Sequence, residues 1–189
     1  MNLPNALTAL RIFLVPWLVV LLLTRTEWGW LLGLIVFTVA VLTDYFDGWL
    51  ARRRNEQTKL GAMLDPLADK LLISAMFISL IELDMAPAWI VAVIVGREFA
   101  VTWLRSDALA RGTVISASGA GKAKTVSQIV AIYVMLLALR VEFFAVLVAP
   151  ALLVALALTL YSGLDYFRKF SRSSHQTQAE KKERANPLP

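Results

Sequence analysis

Four aspartates set the chemical question in this chain. Asp44 and Asp47 stand three residues apart and Asp65 and Asp69 four apart, all in or against stretches apolar enough to lie in a bilayer. At about 100° per residue each pair shares one helix face, and Gly61 falls one turn before Asp65 on that same face. An ionised carboxylate in low dielectric costs on the order of several kcal/mol even after relaxation, so four at matched depth require positive charge between them. As caps or snorkelling surface charges they would need no such partner, but their clustering argues against that role. Lys70 and Arg52 can each pair with one acid. Two divalent cations offset all four most simply, and hard oxygen donors select Mg²⁺, Mn²⁺ or Ca²⁺ over zinc. The expected cofactor is Mg²⁺ or Mn²⁺, because carboxylate-bound Mg²⁺ keeps positions open for substrate phosphates and a metal pair suits in-line phosphoryl chemistry. Gly48, Ala51 and Gly61 leave room beside the acids. Taken singly, each is equally well explained by ordinary small-residue helix packing.

The elements that hold these residues follow from composition. Of 189 residues, 58% are hydrophobic, and apolar runs recur along the whole length, which is membrane composition. There is no cysteine, so thiolate chemistry is excluded and the single histidine, His175, lies in a polar tail. A bilayer-spanning helix needs ~20 mostly apolar residues. Six segments qualify, at roughly Leu3–Thr24, Trp28–Leu50, Leu60–Leu83, Ala86–Leu109, Lys122–Leu139 and Phe143–Phe167. Backbone satisfaction in lipid makes them helices. The expected fold is an all-α integral membrane protein, a bundle of six transmembrane helices over residues 1–170, with a polar, disordered tail at 171–189. The run Ile12–Leu23 has signal-peptide length, but "TRTEWGW" follows it without a small-x-small cleavage site.

Lys and Arg concentrate on alternate links, around Arg52–Lys59, around Arg105–Lys124 and after Arg168, whereas the opposite links carry only Arg25 and Arg140. Positive-inside bias then places both termini in the cytoplasm. The net charge of +5 is accordingly a cytoplasmic-face charge, attractive to anionic lipid and phosphorylated substrates, and no module for nucleic acid is present. At 1.5 Å per residue, about 24 Å separates Asp44 from the outer end of its helix, and Asp65 and Asp69 lie one to two turns into theirs from the inner end. All four acids thus share a depth in the cytoplasmic part of the membrane.

The pattern Asp44-x2-Asp47-Gly48-x2-Ala51-Arg52-x8-Gly61-x3-Asp65-x3-Asp69 resembles, at every fixed position, the signature of the CDP-alcohol phosphatidyltransferases. The resemblance implies a six-span homodimer that uses divalent metal at the cytoplasmic face of the cell membrane. It moves a phosphatidyl group from a CDP-activated lipid to an alcohol and releases CMP. By the same resemblance Asp44, Asp47, Asp65 and Asp69 are metal ligands. Asp69 also serves as general base on the acceptor hydroxyl, while Gly48, Ala51, Arg52, Thr58 and Gly61 line the CDP-lipid site.

Outside the signature, "LPNALTALRI", "GREFAVTWLR" and "GAGKAKTVSQ" resemble the branch of the family whose acceptor is glycerol 3-phosphate. Inositol phosphate, serine and phosphatidylglycerol remain the alternative acceptors. A phosphorylated acceptor needs a cationic pocket, and Arg97, Arg105, Lys122 and Lys124 are placed to form one. The competing explanations are orientation charge for Arg105, Lys122 and Lys124, and a structural ion pair for Arg97. Glu98 is expected to face another side of its helix from Arg97. Arg11 completes the acceptor set, with Asn5 and Thr8 on the same helix assigned to the CDP-lipid wall. Trp28, Trp30 and Trp89 are expected in an interfacial belt. An ion transporter also carries intramembrane acids, but it would spread them across the membrane thickness and show inverted repeats.

Overall fold

The computed structural model describes the backbone of residues 3–54, 59–110 and 119–185, and side chains chiefly within 9–43, 67–109 and 119–171. These residues form six helices and no strand: α1 (Leu3–Leu23), α2 (Glu27–Arg54), α3 (Lys59–Glu82), α4 (Ala88–Ala110), α5 (Gly119–Ala138) and α6 (Glu142–Ala185). Each expected segment is thus a helix. Two of them, Gly119–Ala138 and Glu142–Ser171, are long and apolar enough to cross a membrane, and shorter apolar stretches cover Ala9–Leu23 and Trp28–Thr43. Charge interrupts the apolar character of the others, with Asp69 and Lys70 inside α3 and Arg97 and Glu98 inside α4.

Local chemistry sets the helix ends. The Thr26 hydroxyl caps α2 by accepting from the Gly29 amide at 2.9 Å. At the end of α3 the Met85 amide reaches back to the Leu80 carbonyl at 2.9 Å, with Asp84 between them at φ 59°. This is the left-handed exit that glycine usually supplies. One expectation is corrected at the C-terminal end. Helix α6 continues through the polar stretch to Ala185, where a disordered tail is expected from composition. The residues there, "QAEKKERA", are strong intrinsic helix formers that extend a turn already nucleated by the apolar part of α6.

Helix α1 packs on both α2 and α3; α5 and α6 form the most extensive pair, α4 leans on α6, and α3 joins the two groups through α4 and α5. The α1–α2 seam is close because two glycines line it. A Cβ on Gly29 would strike the Leu21 carbonyl, and one on Gly33 would come within 2.6 Å of a Leu22 methyl. Between α2 and α5, Tyr133 donates to Thr38 at 2.9 Å and its ring tilts against Phe37 at 5.2 Å. Trp30 donates its indole N–H to the Leu136 carbonyl, so it ties α2 to α5, while Trp28 and Trp89 are exposed as expected of a belt.

The interior divides along the helix axes. Buried apolar side chains gather in one half, including Leu18 and Leu22, Phe37, Met76 and Phe77, Ile94, Met135 and Leu152. Most buried polar ones, Arg11, Glu98, Lys124, Gln128, Thr159 and Ser162, gather in the other, with Ser74 and Ser79 of α3 as exceptions. Because successive helices alternate in direction, the early part of α1, α3 and α5 and the late part of α4 and α6 meet at that polar end. Large apolar side chains also cover the outside, among them Phe13, Trp17, Ile35, Trp103, Phe143 and Val146. A water-soluble monomer does not tolerate that much contiguous apolar surface.

Candidate active site

The polar end holds two linked clusters. In the first, Arg11 on α1 donates through Nη1 to Asp69 Oδ1 on α3 at 2.8 Å. Arg11 is 2% exposed, whereas the Asp69 side chain keeps 47% of its surface. The guanidinium is thus fixed inside the bundle and holds a carboxylate that stays accessible at the surface of the cavity side.

The second cluster joins α4, α5 and α6 around one carboxylate. Glu98 Oε1 accepts from Lys124 Nζ at 2.6 Å, from Arg97 Nη1 at 3.2 Å and from Gln128 Nε2 at 3.4 Å. Gln128 also donates to Thr159 at 3.0 Å, and Arg97 Nη2 donates to Ser162 at 2.8 Å. Burying a lone carboxylate here would be prohibitive; three donors, two of them charged, make it tenable. Arg97 reaches Ser162 by passing over Gly163, where a Cβ would stand 3.2 Å from Arg97 Cγ and Nε. Lys70 lies within electrostatic range of Glu98, Arg105, Asp69 and Arg97. Arg105 stacks over the buried Tyr166 ring at 5.8 Å from the centroid.

Among the described residues of the two clusters, Arg11, Arg97, Lys124, Lys70 and Arg105 carry five positive charges against the two negative charges of Glu98 and Asp69, which leaves the clusters cationic. Such a region suits an anion that arrives with oxygen acceptors.

The structure therefore brings Asp69, Arg11, Arg97, Arg105 and Lys124 of the expected site residues to one end of the bundle. Lys122 is exposed at the start of α5 and makes no ion pair among the described residues. Asn5 and Thr8 lie in α1, Asp44, Asp47, Gly48, Ala51 and Arg52 in α2, and Gly61 and Asp65 in α3. Their side chains lie outside the described residues, as does Thr58 altogether. Because α1 packs against both α2 and α3, the two helices that carry the aspartates flank one common helix.

One expectation fails. Glu98 does bond to Arg97, the two side chains meeting where Glu98 also accepts from Lys124 of α5 and Arg97 donates to Ser162 of α6. Lys70 is expected only as a partner for one of the acids, and Gln128, Thr159, Ser162 and Gly163 are not among the expected site residues. The spacing of Lys124 with Gln128 and of Thr159 with Ser162, one turn apart on otherwise apolar helices, was the available signal.

The sequence profile of the CDP-alcohol phosphatidyltransferases matches residues 1–161. The chain belongs to this family. Among curated proteins it is similar to the CDP-diacylglycerol--glycerol-3-phosphate 3-phosphatidyltransferase of Bacillus subtilis, 44% identical over 182 residues, covering 89% of this chain and 94% of the relative. Proteins of the same name from Pseudomonas fluorescens and Salmonella choleraesuis are 36% and 35% identical. They cover 89% and 87% of this chain, and 89% and 92% of their own lengths. The family's aspartate signature accordingly runs through α2 and α3, and the described clusters stand beside its last residue, Asp69.

Proposed function

We propose that the protein transfers the phosphatidyl group of CDP-diacylglycerol to glycerol 3-phosphate, giving phosphatidylglycerophosphate and CMP. The observation that carries this reading is the 44% identity, over nearly the whole of both chains, to a relative named for that reaction. The buried cation-rich cluster beside Asp69 supports it, since a phosphorylated acceptor needs such a partner. The enzyme works as a homodimer in the plasma membrane. Six crossings put both termini and the polar end of the bundle at the cytoplasmic face, where a water-soluble acceptor meets the lipid headgroup.

The acceptor hydroxyl oxygen attacks the phosphatidyl phosphorus, the bond from that phosphorus to the bridging oxygen breaks, and CMP leaves with the electron pair. Asp69 takes the hydroxyl proton, oriented by the buried Arg11. Arg97, Lys124 and Arg105 hold the acceptor phosphate, with Lys122 at the entrance and Lys70 between that phosphate and Asp69. Asn5, Thr8, Gly48, Ala51, Arg52, Thr58 and Gly61 accommodate the CDP-lipid. The carboxylates Asp44, Asp47, Asp65 and Asp69 offer the all-oxygen donor set that Mg²⁺ or Mn²⁺ prefers, and Asp69 is accessible enough to join it. Metal bound there would polarise the phosphoryl group and neutralise the departing CMP.

The test is CMP release by the purified protein in mixed micelles of CDP-diacylglycerol, scored across acceptors. Glycerol 3-phosphate should exceed inositol phosphate, serine and phosphatidylglycerol by at least about tenfold, as expected when buried cations are matched to one ligand. Release with another alcohol and none with glycerol 3-phosphate, in Mg²⁺ or Mn²⁺, defeats the assignment.

A further inference from the structure

Two cations in the α4–α5–α6 seam stand 27 residues apart in the chain, yet a single carboxylate holds both: Arg97 at 3.2 Å and Lys124 at 2.6 Å from Glu98 Oε1. The side chains are 13%, 9% and 11% exposed for Arg97, Lys124 and Glu98, so the geometry is set by the protein and little by water. Glu98 neutralises only one of the two charges. Donor accounting points the same way. Lys124 commits one of its three ammonium hydrogens to Glu98, and Arg97 commits one on each Nη, to Glu98 and Ser162. Among the described residues, two hydrogens on Lys124, one on each Arg97 Nη and the buried Arg97 Nε–H remain after the network is satisfied.

A cluster built only for stability would be charge-balanced and donor-exhausted; this one has a surplus of both. Gly163 adds a second, independent sign of positioning. It is the notch over which Arg97 lies, with Cγ and Nε 3.2 Å from where a Cβ would be. A larger residue would press on Cγ and Nε and displace the guanidinium while leaving every polar side chain of the network in place.

We propose that Glu98 is a positioning residue. Its carboxylate, braced by Gln128 and Thr159, presents Arg97 and Lys124 as a preset pair for the phosphate of the acceptor, and Gly163 sets the reach of Arg97. This rests on the functional reading above and adds to it the group that organises the acceptor pocket. A fixed cation pair lowers the cost of ordering two long side chains when the phosphate binds. Loss of that order therefore falls on acceptor affinity.

The experiment measures KM for glycerol 3-phosphate and for CDP-diacylglycerol separately, with kcat, in wild type, Gly163→Ala, Glu98→Gln and Glu98→Ala. Gly163→Ala keeps every polar group and favours the helix. It should raise KM for glycerol 3-phosphate about threefold to tenfold while KM for CDP-diacylglycerol stays within about twofold, as a small misplacement of a binding group does. Glu98→Ala should raise it further, and Glu98→Gln, which retains an acceptor oxygen, should recover part of the loss. A purely structural role would instead lower kcat, through the fraction of folded enzyme, and leave both KM values alone. That pattern, or an unchanged acceptor KM in Gly163→Ala, overturns the proposal even if Glu98→Ala cannot be purified. Wild type that releases no CMP with glycerol 3-phosphate overturns the functional reading and this inference together. Active wild type with unaltered variants overturns this inference alone.

Discussion

Asp69 and Arg11 form an unequal pair, one side chain half exposed and the other 2% exposed, joined at 2.8 Å. The buried member needs the carboxylate for charge balance, and the exposed member gains a fixed orientation from it. If Asp69 takes the acceptor proton, Asp69→Asn keeps size and most of the hydrogen bonding but removes the base. CMP release per folded enzyme should fall by about 10² to 10⁴, the usual range for a general base, and the melting temperature should fall too, because Asn can still accept from Arg11 but no longer balances its buried charge. Release within about twofold of wild type would remove Asp69 from that role. The aspartates were legible from sequence because charge in an apolar helix is costly and helical spacing aligns it. Glu98 was not legible, because spacing rules describe neighbours on one helix, whereas its principal partner, Lys124, comes from another helix. Its bond to Arg97 joins sequence neighbours that helical spacing sets on different faces.

Helices, unlike their contacts, are readable to within about four residues at every end except the C-terminal end of α6, since runs of ~20 apolar residues bounded by polar links leave little choice. What the pattern did not show is which face meets which. Gly29 and Gly33 line the α1–α2 seam, which nothing in their spacing identifies. Their surroundings order the cost of adding a methyl. At Gly29 the obstacle includes the backbone carbonyl of Leu21, which cannot swing aside, so Gly29→Ala should destabilise by about 1–3 kcal/mol, typical of overpacking. At Gly33 the obstacle is a Leu22 methyl that can turn away, so the loss should be smaller. Gly96 has nothing within 4 Å, and Gly96→Ala should match or exceed wild type. Thermal denaturation of the three variants in one detergent tests the order; a Gly29 variant as stable as the Gly96 variant would contradict the seam. The extension of α6 to Ala185 has a different cause. Low hydrophobicity suggested disorder, but propensity and an existing helix to extend prevailed.

At the scale of the molecule, the division between an apolar and a polar half sets the arrangement. Among the described residues the buried charges are Arg11 and Lys124, in the first halves of α1 and α5, and Glu98 at the middle of α4, and apolar side chains cover the outside. That asymmetry gives direction to the bundle: under the proposed function the polar end would face the compartment that supplies a charged, water-soluble acceptor, which the Lys and Arg bias leads one to expect is the cytoplasm. A chain with no cysteine makes the topology directly measurable. Single cysteines at Thr24 and Glu142, both exposed at the apolar-half ends, should react with a membrane-impermeant maleimide on intact cells. Cysteines at Gly119 and Ser171, exposed toward the polar half, should react only after the membrane is opened. The choice of sites separates six crossings from two. Were only α5 and α6 to cross, Thr24→Cys would label with Gly119→Cys and Ser171→Cys rather than with Glu142→Cys. Pairing of Thr24 with Glu142 therefore requires crossings among α1 to α4 as well. Those are the helices whose charges depress their apolarity, and the site itself explains why they carry them.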